Sequence, residues 1–536
     1  MDNQKKIYDV KFVGQDYQPI SDAAKRMVIT CEGREYFISE QGEICLKGSN
    51  EENDRVYSRI LLDKMLEEVA PHGKCNPEFV VNEGKIKLYD SNFGSVEERG
   101  YFCGIVGVIR KQISMFLKFK EKEEKYIFNM TLQIKSRLDV DEQGIPGKPF
   151  FLSTMLLRDK VKLSDNMIPN NEEEIFDYLL LFWFKEHLQK ACLKGYYKTY
   201  RRFERNDDRL RGTIDISQHI KLNMGQKNGS IAYSYRENTI DNFLNYLIVA
   251  AYNHLKYKYY ELVSENFDDN IELKKTIDYL SNEIKFSNMN KAYLMNKNIK
   301  KIAHPYFTEY EQLRVTCLKI LRDEGVSFFD GNIEQDTQGI LFYLPNLWEL
   351  FLEDEVFSKC ASEKILFESQ VPVDNFGYKN KDMPEGYVYK QNTRPDYVFF
   401  AGEEPFMILD AKCKPKWESV FEQSSVKEVM EDYNKCIRDM VAIDANATGV
   451  VFPTNNESEI DEMVYKHSIS KYNKNAFFYT LPISVPKVKQ EDSFTSWYQQ
   501  FKDNLNKRIE IIRKILEDER KYAEHIQEFK VKMRRC

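Results

Sequence analysis

The chain has 536 residues, 42% of them hydrophobic and 13% aromatic, with 78 basic side chains against 85 acidic ones and a formal charge of −7. That length suits roughly two to four domains with sizeable cores, and the acidic balance excludes a protein that grips DNA through a broad basic surplus, since phosphate contacts dominate such binding. No apolar run approaches the ~20 residues of a membrane span, Met1–Lys6 leads into no signal-peptide core, and the ten cysteines lack CxxC or CxH spacing, so a cytoplasmic, reduced chain without a disulfide frame or zinc site is expected.

Residues 1–150 alternate short β-type runs with turns, at Tyr8–Val13, Met27–Cys31, Tyr36–Ile38, Phe79–Val81 and Lys85–Tyr89, and predict a β-rich N-terminal domain. Lys118–Lys125 is a mixed charge run that reads as a solvated loop or strand edge, and Gly144–Pro149 is a break. Residues 151–335 are mainly helical. Asn171 with Glu174 has capping-box spacing, the run at 175–184 reads as a buried helix, and Gly195 closes it. Further helices are predicted over Thr239–Tyr260, Leu273–Phe286 and Glu309–Asp323.

From 336 to 490 the pattern becomes α/β. A helix over Asn346–Ala361 precedes a strand at Ile365–Val371 and the apolar runs Tyr397–Phe400 and Phe406–Leu409. A helix over Ser425–Ile443 and strands at Gly449–Phe452 and Ala476–Leu481 follow. Residues 491–536 end in a charged helix, Trp497–Lys530, whose Leu505, Ile509, Ile512 and Leu516 form an apolar seam for a dimer contact or for packing on its own domain. The fold class expected is multidomain: an α+β N-terminal part, a helical central region and an α/β domain.

Thr393-Arg394-Pro395-Asp396 is followed fourteen residues later by Asp410-Ala411-Lys412. The two apolar runs between them flank Ala401–Pro405, which reads as a hairpin turn, so both carboxylates fall at the ends of neighbouring strands. Hard cations such as Mg²⁺ take carboxylate oxygens, and Lys412, two residues after Asp410, shares its strand face. This is the PD-(D/E)xK pattern of metal-dependent nucleases, and helix–strand–strand–strand–helix–strand is the order of that core. Asp396, Asp410 and the carbonyl of Ala411 would hold one or two Mg²⁺ ions, with Mn²⁺ a substitute. Lys412 would orient the attacking water and stabilise developing charge. Glu349 is the candidate accessory acid and Glu368 a weaker substitute, while Lys435, on the helix beside the site, reads equally as a solvated residue.

Lys194–Arg211 holds seven basic and three acidic residues with Tyr196, Tyr197, Tyr200 and Phe203 interleaved. It suits a DNA backbone or an acidic protein partner, or else is a solvated basic loop with its aromatics in the core. No GxxxxGK[S/T] occurs, so no P-loop is present, and the seven histidines are isolated, against an HNH or zinc hydrolase.

Leu210-Arg211-Gly212-Thr213-Ile214-Asp215 with His219-Ile220, Arg236–Asn245, Leu341–Glu349, Thr393–Asp396 and Leu409–Lys412 resemble successive blocks of the McrC family, the nuclease subunits of McrBC and LlaJI-type restriction systems. The resemblance spans roughly residues 100–455 and makes Glu349 the matching acid. The family's "DxYQ" on the helix after the site is here Asp432-Tyr433-Asn434-Lys435. The resemblance implies a double-stranded DNA substrate, modified or not, and an AAA+ GTPase motor partner similar to McrB. The N-terminal part would bind that motor and stimulate its GTPase while the C-terminal domain cuts. The alternative is an adaptor and GTPase activator with a vestigial nuclease site.

Overall fold

Alternation sets the first strand: in Ile7–Gln15 the side chains of Tyr8, Val10 and Phe12 are buried, while those of Ile7, Asp9 and Lys11 face outward. The computed structural model describes the chain except residues 1–6, 32, 39–43, 47–54, 71–86, 91–99, 120–121, 158–171, 226–228, 269, 286–289, 323–337, 379–388, 418–425, 457–464, 470–475, 490 and 535–536. The predicted run Phe79–Val81, residues 85–86 of the run Lys85–Tyr89 and the cap residue Asn171 therefore lie outside the described residues.

The described chain is mixed α/β and forms two compact units: residues 1–156, 168–173 and 335–536, and residues 157–167 and 174–334. The first unit thus takes in the N-terminal, α/β and C-terminal segments of the sequence reading together. It contains a seven-stranded sheet in the order Gln338–Tyr343, Ile105–Phe119, Lys122–Lys135, Ile7–Gln15, Val28–Cys31, Arg34–Ile38, Ile44–Leu46. Ile7–Gln15 and Lys122–Lys135 pair in parallel, and the other described pairings are antiparallel. The charge run Lys118–Lys125 is the far end of the long hairpin, with Lys118 opposite Glu123. The reading of 1–150 as strands and turns missed the helix Arg55–Val69, whose Leu61, Leu62, Met65, Leu66 and Val69 close one core with Tyr8, Phe12, Ile109 and Phe128. The signal was there, in apolar positions at helical spacing.

The second sheet of this unit has six strands in the order Leu366–Ser369, Tyr397–Ala401, Glu404–Ala411, Ala447–Thr454, Phe477–Ser484, Tyr465–Ser468. Its middle pairings, Glu404–Ala411 with Ala447–Thr454 and the latter with Phe477–Ser484, are parallel; the outer ones are antiparallel. All eight residues of Ala447–Thr454 are buried, as a parallel strand covered on both faces requires. On one face Val429 and Cys436 of the crossover helix Val426–Ala442 pack with Trp417 against Val450, Phe452 and Phe478. On the other, the long helix Phe494–Arg534 meets Tyr479, whose hydroxyl donates to Glu519 Oε1 at 2.5 Å. That helix buries its seam, Leu505, Ile509, Ile512 and Leu516, within the chain, which answers the choice between dimer contact and self-packing. The hairpin Val373–Tyr378/Tyr389–Thr393 and the strand Tyr465–Ser468 were not foreseen.

In the second unit, a three-stranded antiparallel sheet orders Thr213–Ile214, Ile231–Thr239 and Thr199–Asp207. The helices Phe243–Lys258, Ile271–Glu283 and Glu309–Arg322 overlap the three predicted segments. Among the described residues no helix is long and apolar enough to cross a membrane.

Candidate active site

The register of one hairpin brings Asp396 and Asp410 together. Tyr397 pairs with Leu409 across the antiparallel strands Tyr397–Ala401 and Glu404–Ala411, so the residue before one and the residue after the other are neighbours at the same end of the sheet. Gly402, at φ +65°, makes the turn, a backbone conformation that costs glycine little. The N–H of Ala411 donates to Asp396 Oδ2 at 2.8 Å, which fixes that carboxylate against the opposite strand. Asp410 is 2% exposed.

Glu349 arrives from the other sheet. Gln338–Tyr343 leads directly into the helix Leu344–Leu352, with Pro345 in its first turn, where a missing N–H costs nothing. Trp348, fully buried, donates from Nε1 to the carbonyl of Val451 at 3.2 Å. Lys412 donates its backbone N–H to that same carbonyl at 2.9 Å. The hydroxyl of Tyr397 donates to the Glu349 carbonyl at 2.5 Å. The helix is thereby tied to both strands of the hairpin's neighbourhood, with its acid within the field of Asp396 and Asp410.

Two lysines face these acids. Lys412 Nζ contacts Asp410 Oδ2 and lies 3.8 Å from Asp432 Oδ1. Asp432, one turn before Lys435 on the crossover helix, also accepts from Lys414 at 3.3 Å and from Trp417 Nε1 at 3.2 Å. Lys435 Nζ donates to Asp410 Oδ1 at 2.7 Å and lies 3.8 Å from Asp396 Oδ1. Burial and then the charge of Asp410 push the Asp396 carboxyl up to about 8. Burial acts the same way on Asp410, but Lys412 and Lys435 outweigh it and hold that carboxyl below its ordinary range. Burial and the charge of Asp410 raise Glu349 as well. Burial alone would lower both lysines; Asp410, with Asp432 for one and Asp396 for the other, raises them.

Among the described residues no three His, Cys, Asp or Glu side chains already close around one point as a metal cage does. The donor set nevertheless suits a hard cation. One oxygen of each aspartate is turned on a common positive charge, the Lys435 ammonium, and the third acid, Glu349, feels the charge of Asp410. The geometry therefore brings together Asp396, Asp410, Ala411, Lys412 and Glu349. Glu368 does not join them: it is exposed on the edge strand opposite Val398, and the strongest charges on Asp396 come from Asp410, Lys435, Glu349 and Lys412. The sequence reading gave Asp432 no place at the site, where it pairs with Lys412, and the solvated alternative for Lys435 does not hold. A signal existed: Asp432, Lys435 and Asp439 recur at i, i+3, i+7 directly beside the apolar Cys436 and Met440, so this polar row borders the buried face of the helix.

Behind the site, Arg137 Nη2 donates to the carbonyl of Cys413 at 3.0 Å, one residue past Lys412.

In the second unit, Thr199–Asp207 of the basic segment 194–211 is a strand, and the residues that flank it are turn and irregular. Tyr196 packs tilted against Tyr279 at 4.7 Å, Tyr197 packs on Phe307 and Tyr310, and Phe203 stacks on Tyr235. Tyr200 remains 76% exposed beside Arg201, Arg202 and Arg205. The LRGTID block is structural: Gly212 has φ +78°, with no room for a Cβ against the Ser234 carbonyl. Asp215 caps the helix Ile216–Asn223 by accepting from the Gln218 N–H at 3.0 Å. His219 Nδ1 accepts from the Ala232 N–H.

No curated protein matches the chain. It is similar to a solved half-complex from the tetradecameric assembly of Thermococcus gammatolerans McrB AAA+ hexamers with bound McrC, at 14% identity and a TM-score of 0.37, over 76% of this chain and 84% of that one. It is similar also to the cryo-EM structure of the Thermococcus gammatolerans McrBC complex, at 13% identity and a TM-score of 0.27, over 66% of this chain and 88% of that one. The profile of the McrBC 5-methylcytosine restriction system component family matches residues 104–432, a span that includes the hairpin, Glu349, Lys412 and Asp432. With more than half of its length matched, the chain belongs to the McrBC family.

Proposed function

We propose that this chain is the DNA endonuclease subunit of a motor-driven restriction system, cutting phosphodiester bonds with Mg²⁺ through a PD-(D/E)xK domain over residues 336–490. The observation that carries this reading is the cluster of Asp396, Asp410, Glu349 and Lys412 at one sheet end, two acids opposed by register and a lysine on the same face. Asp396 and Asp410, with the carbonyl of Ala411, would hold the ion, and Glu349 would add a further oxygen. The bound ion lowers the pKa of its water and stabilises charge on the phosphate. Asp410 and Asp432 keep the Lys412 ammonium charged and aimed at the place where the attacking water and phosphate oxygens meet. There it can orient the nucleophile and stabilise the charge that develops on the phosphoryl group.

Membership in a restriction-system family supports double-stranded DNA as substrate and a cytoplasmic place of action. It also supports an AAA+ GTPase partner akin to McrB, whose hydrolysis this chain would stimulate; the Thermococcus gammatolerans McrC is seen bound to McrB AAA+ hexamers. The net charge of −7 fits delivery of DNA by that partner. The strand Thr199–Asp207, with Tyr200, Arg202 and Arg205 exposed, and the N-terminal sheet are the candidate motor contacts. A second reading, an adaptor with a vestigial site, draws on Lys435 standing against both acids.

The test is plasmid cleavage with Mg²⁺ by wild type, Asp410→Ala and Lys412→Ala, each with and without the GTPase and GTP. Cutting by wild type alone, and only with the partner and GTP, is expected. Cleavage surviving both substitutions would reject the site. GTPase stimulation with no cleavage by wild type under any metal would favour the adaptor.

A further inference from the structure

Lys435 belongs to the cation site in a way that Lys412 does not. Lys412 is held from two sides, by Asp410 and Asp432, and its side chain is 12% exposed. Among the described residues, the ion pairs of Lys435 are with the two aspartates assigned to the ion, Asp410 Oδ1 at 2.7 Å and Asp396 Oδ1 at 3.8 Å. Its side chain is 33% exposed. Its ammonium thus sits where a cation shared by both aspartates would sit, on a flexible stem with a path to water. Two unit charges of like sign a few ångströms apart repel strongly at any dielectric appropriate to a part-buried site, and the repulsion doubles when one of them is divalent. Ammonium and metal ion cannot share the seat, while a lysine stem can move its head group to solvent without moving its helix.

We infer that Lys435 is a tethered counter-ion: it neutralises Asp410, within reach of Asp396, while no metal is bound, and a divalent ion enters only by displacing it. This rests on the reading of the site as a metal centre. Two consequences separate it from a merely structural ion pair. Metal affinity is weakened by Lys435, so removing the charge tightens binding. The metal-free protein is stabilised by Lys435, so the same change lowers its unfolding temperature until metal restores it.

The experiment is isothermal titration of Mn²⁺ and Mg²⁺ into the full chain, paired with thermal unfolding with and without each ion. Wild type, Lys435→Gln, Lys435→Met, Lys435→Arg and Asp410→Asn are compared. The uncharged Lys435 variants should bind metal more tightly by roughly tenfold or more, the scale of one short-range charge pair, and gain more in unfolding temperature from metal than wild type. Lys435→Arg, which keeps the charge and the fold, should bind no more tightly than wild type. Unchanged or weaker affinity in both uncharged variants overturns the inference. If wild type binds metal, Asp410→Asn does not, and Lys435→Gln equals wild type, only the counter-ion role fails. If no protein binds metal, or Asp410→Asn binds as wild type does, the metal-centre reading fails with it.

Discussion

Replacing Arg137 with methionine asks whether the seven-stranded sheet holds the active-site strand in place. Arg137 follows the strand Lys122–Lys135 and is 9% exposed. Its Nη2 donates to the Cys413 carbonyl at 3.0 Å, and its Nε lies 3.9 Å from Oδ2 of Asp16, a residue with no exposure at all. Methionine keeps much of the stem and removes the guanidinium. Breaking a buried ion pair by taking one partner costs about 3–5 kcal/mol, because the other charge is left behind. The backbone N–H of residue 137 still donates to Asp16 Oδ1 at 2.5 Å, so the lower end, about 3 kcal/mol, is expected. At about 2 °C per kcal/mol for a large unit, the transition should fall by roughly 6 °C in scanning calorimetry. Cleavage measured well below that midpoint should also fall, since the exit of the Lys412 strand has lost its anchor. Arg137→Lys keeps the charge without the planar fork and should recover stability more than cleavage. A midpoint within about 1 °C of wild type, with cleavage intact, would refute the coupling.

Three further outcomes follow from the same geometry. Asp396, held near 8, must lose its proton to hold a cation. Mg²⁺ affinity by calorimetry should therefore rise from about pH 6 to about pH 8 and then level, and a flat profile would count against Asp396 as a ligand. The sign for metal-free stability is opposite: the folded state binds the extra proton between the ordinary carboxyl value and about 8, so stability falls as pH rises through that window. Asp432→Asn should lower kcat by about 10–100-fold, the range for groups that orient a working side chain, with metal affinity nearly unchanged because Asp432 touches Lys412 and not the aspartates; equal loss in both would place it among the ligands instead. Gly449→Ala would set a Cβ 2.5 Å from the Tyr479 carbonyl on the next strand and should cost about 1–3 kcal/mol in thermal unfolding, as overpacking does; an unchanged midpoint would mean that the strands can part.

Local pattern carried the α/β half of the chain well, because its elements are contiguous and each is marked by its own period. The two apolar runs separated by Ala401–Pro405 could be read as a hairpin with no knowledge of the rest, and their pairing of Tyr397 with Leu409 sets the two aspartates side by side. What pattern could not reach was pairing at a distance. Gln338–Tyr343 is the edge strand of a sheet whose other six members lie before residue 136, and nothing in its six residues names that partner. The helix Arg55–Val69 was missed for a different reason: its apolar positions recur at helical spacing, but it lies in a stretch that is otherwise short strands.

The site divides along the same line. Asp396, Asp410 and Lys412 sit on one hairpin and its exit, so strand alternation suffices to bring them to one face. Lys435 and Asp432 reach it only because the crossover helix turns Cys436 and Met440 into the core, and the rotation of that helix is a property of the packing. Glu349 reaches it through the strand Gln338–Tyr343, which the other sheet holds at Ile105–Phe119. The acids are thus supplied by a hairpin of one sheet and by a helix leaving the other, with Trp348 and Lys412 donating to a single carbonyl, that of Val451, at their junction. A change in either sheet that moves this junction alters the separation of Glu349 from Asp410. In the proposed metal centre, affinity for a cation would therefore depend on residues as remote in sequence as Arg137.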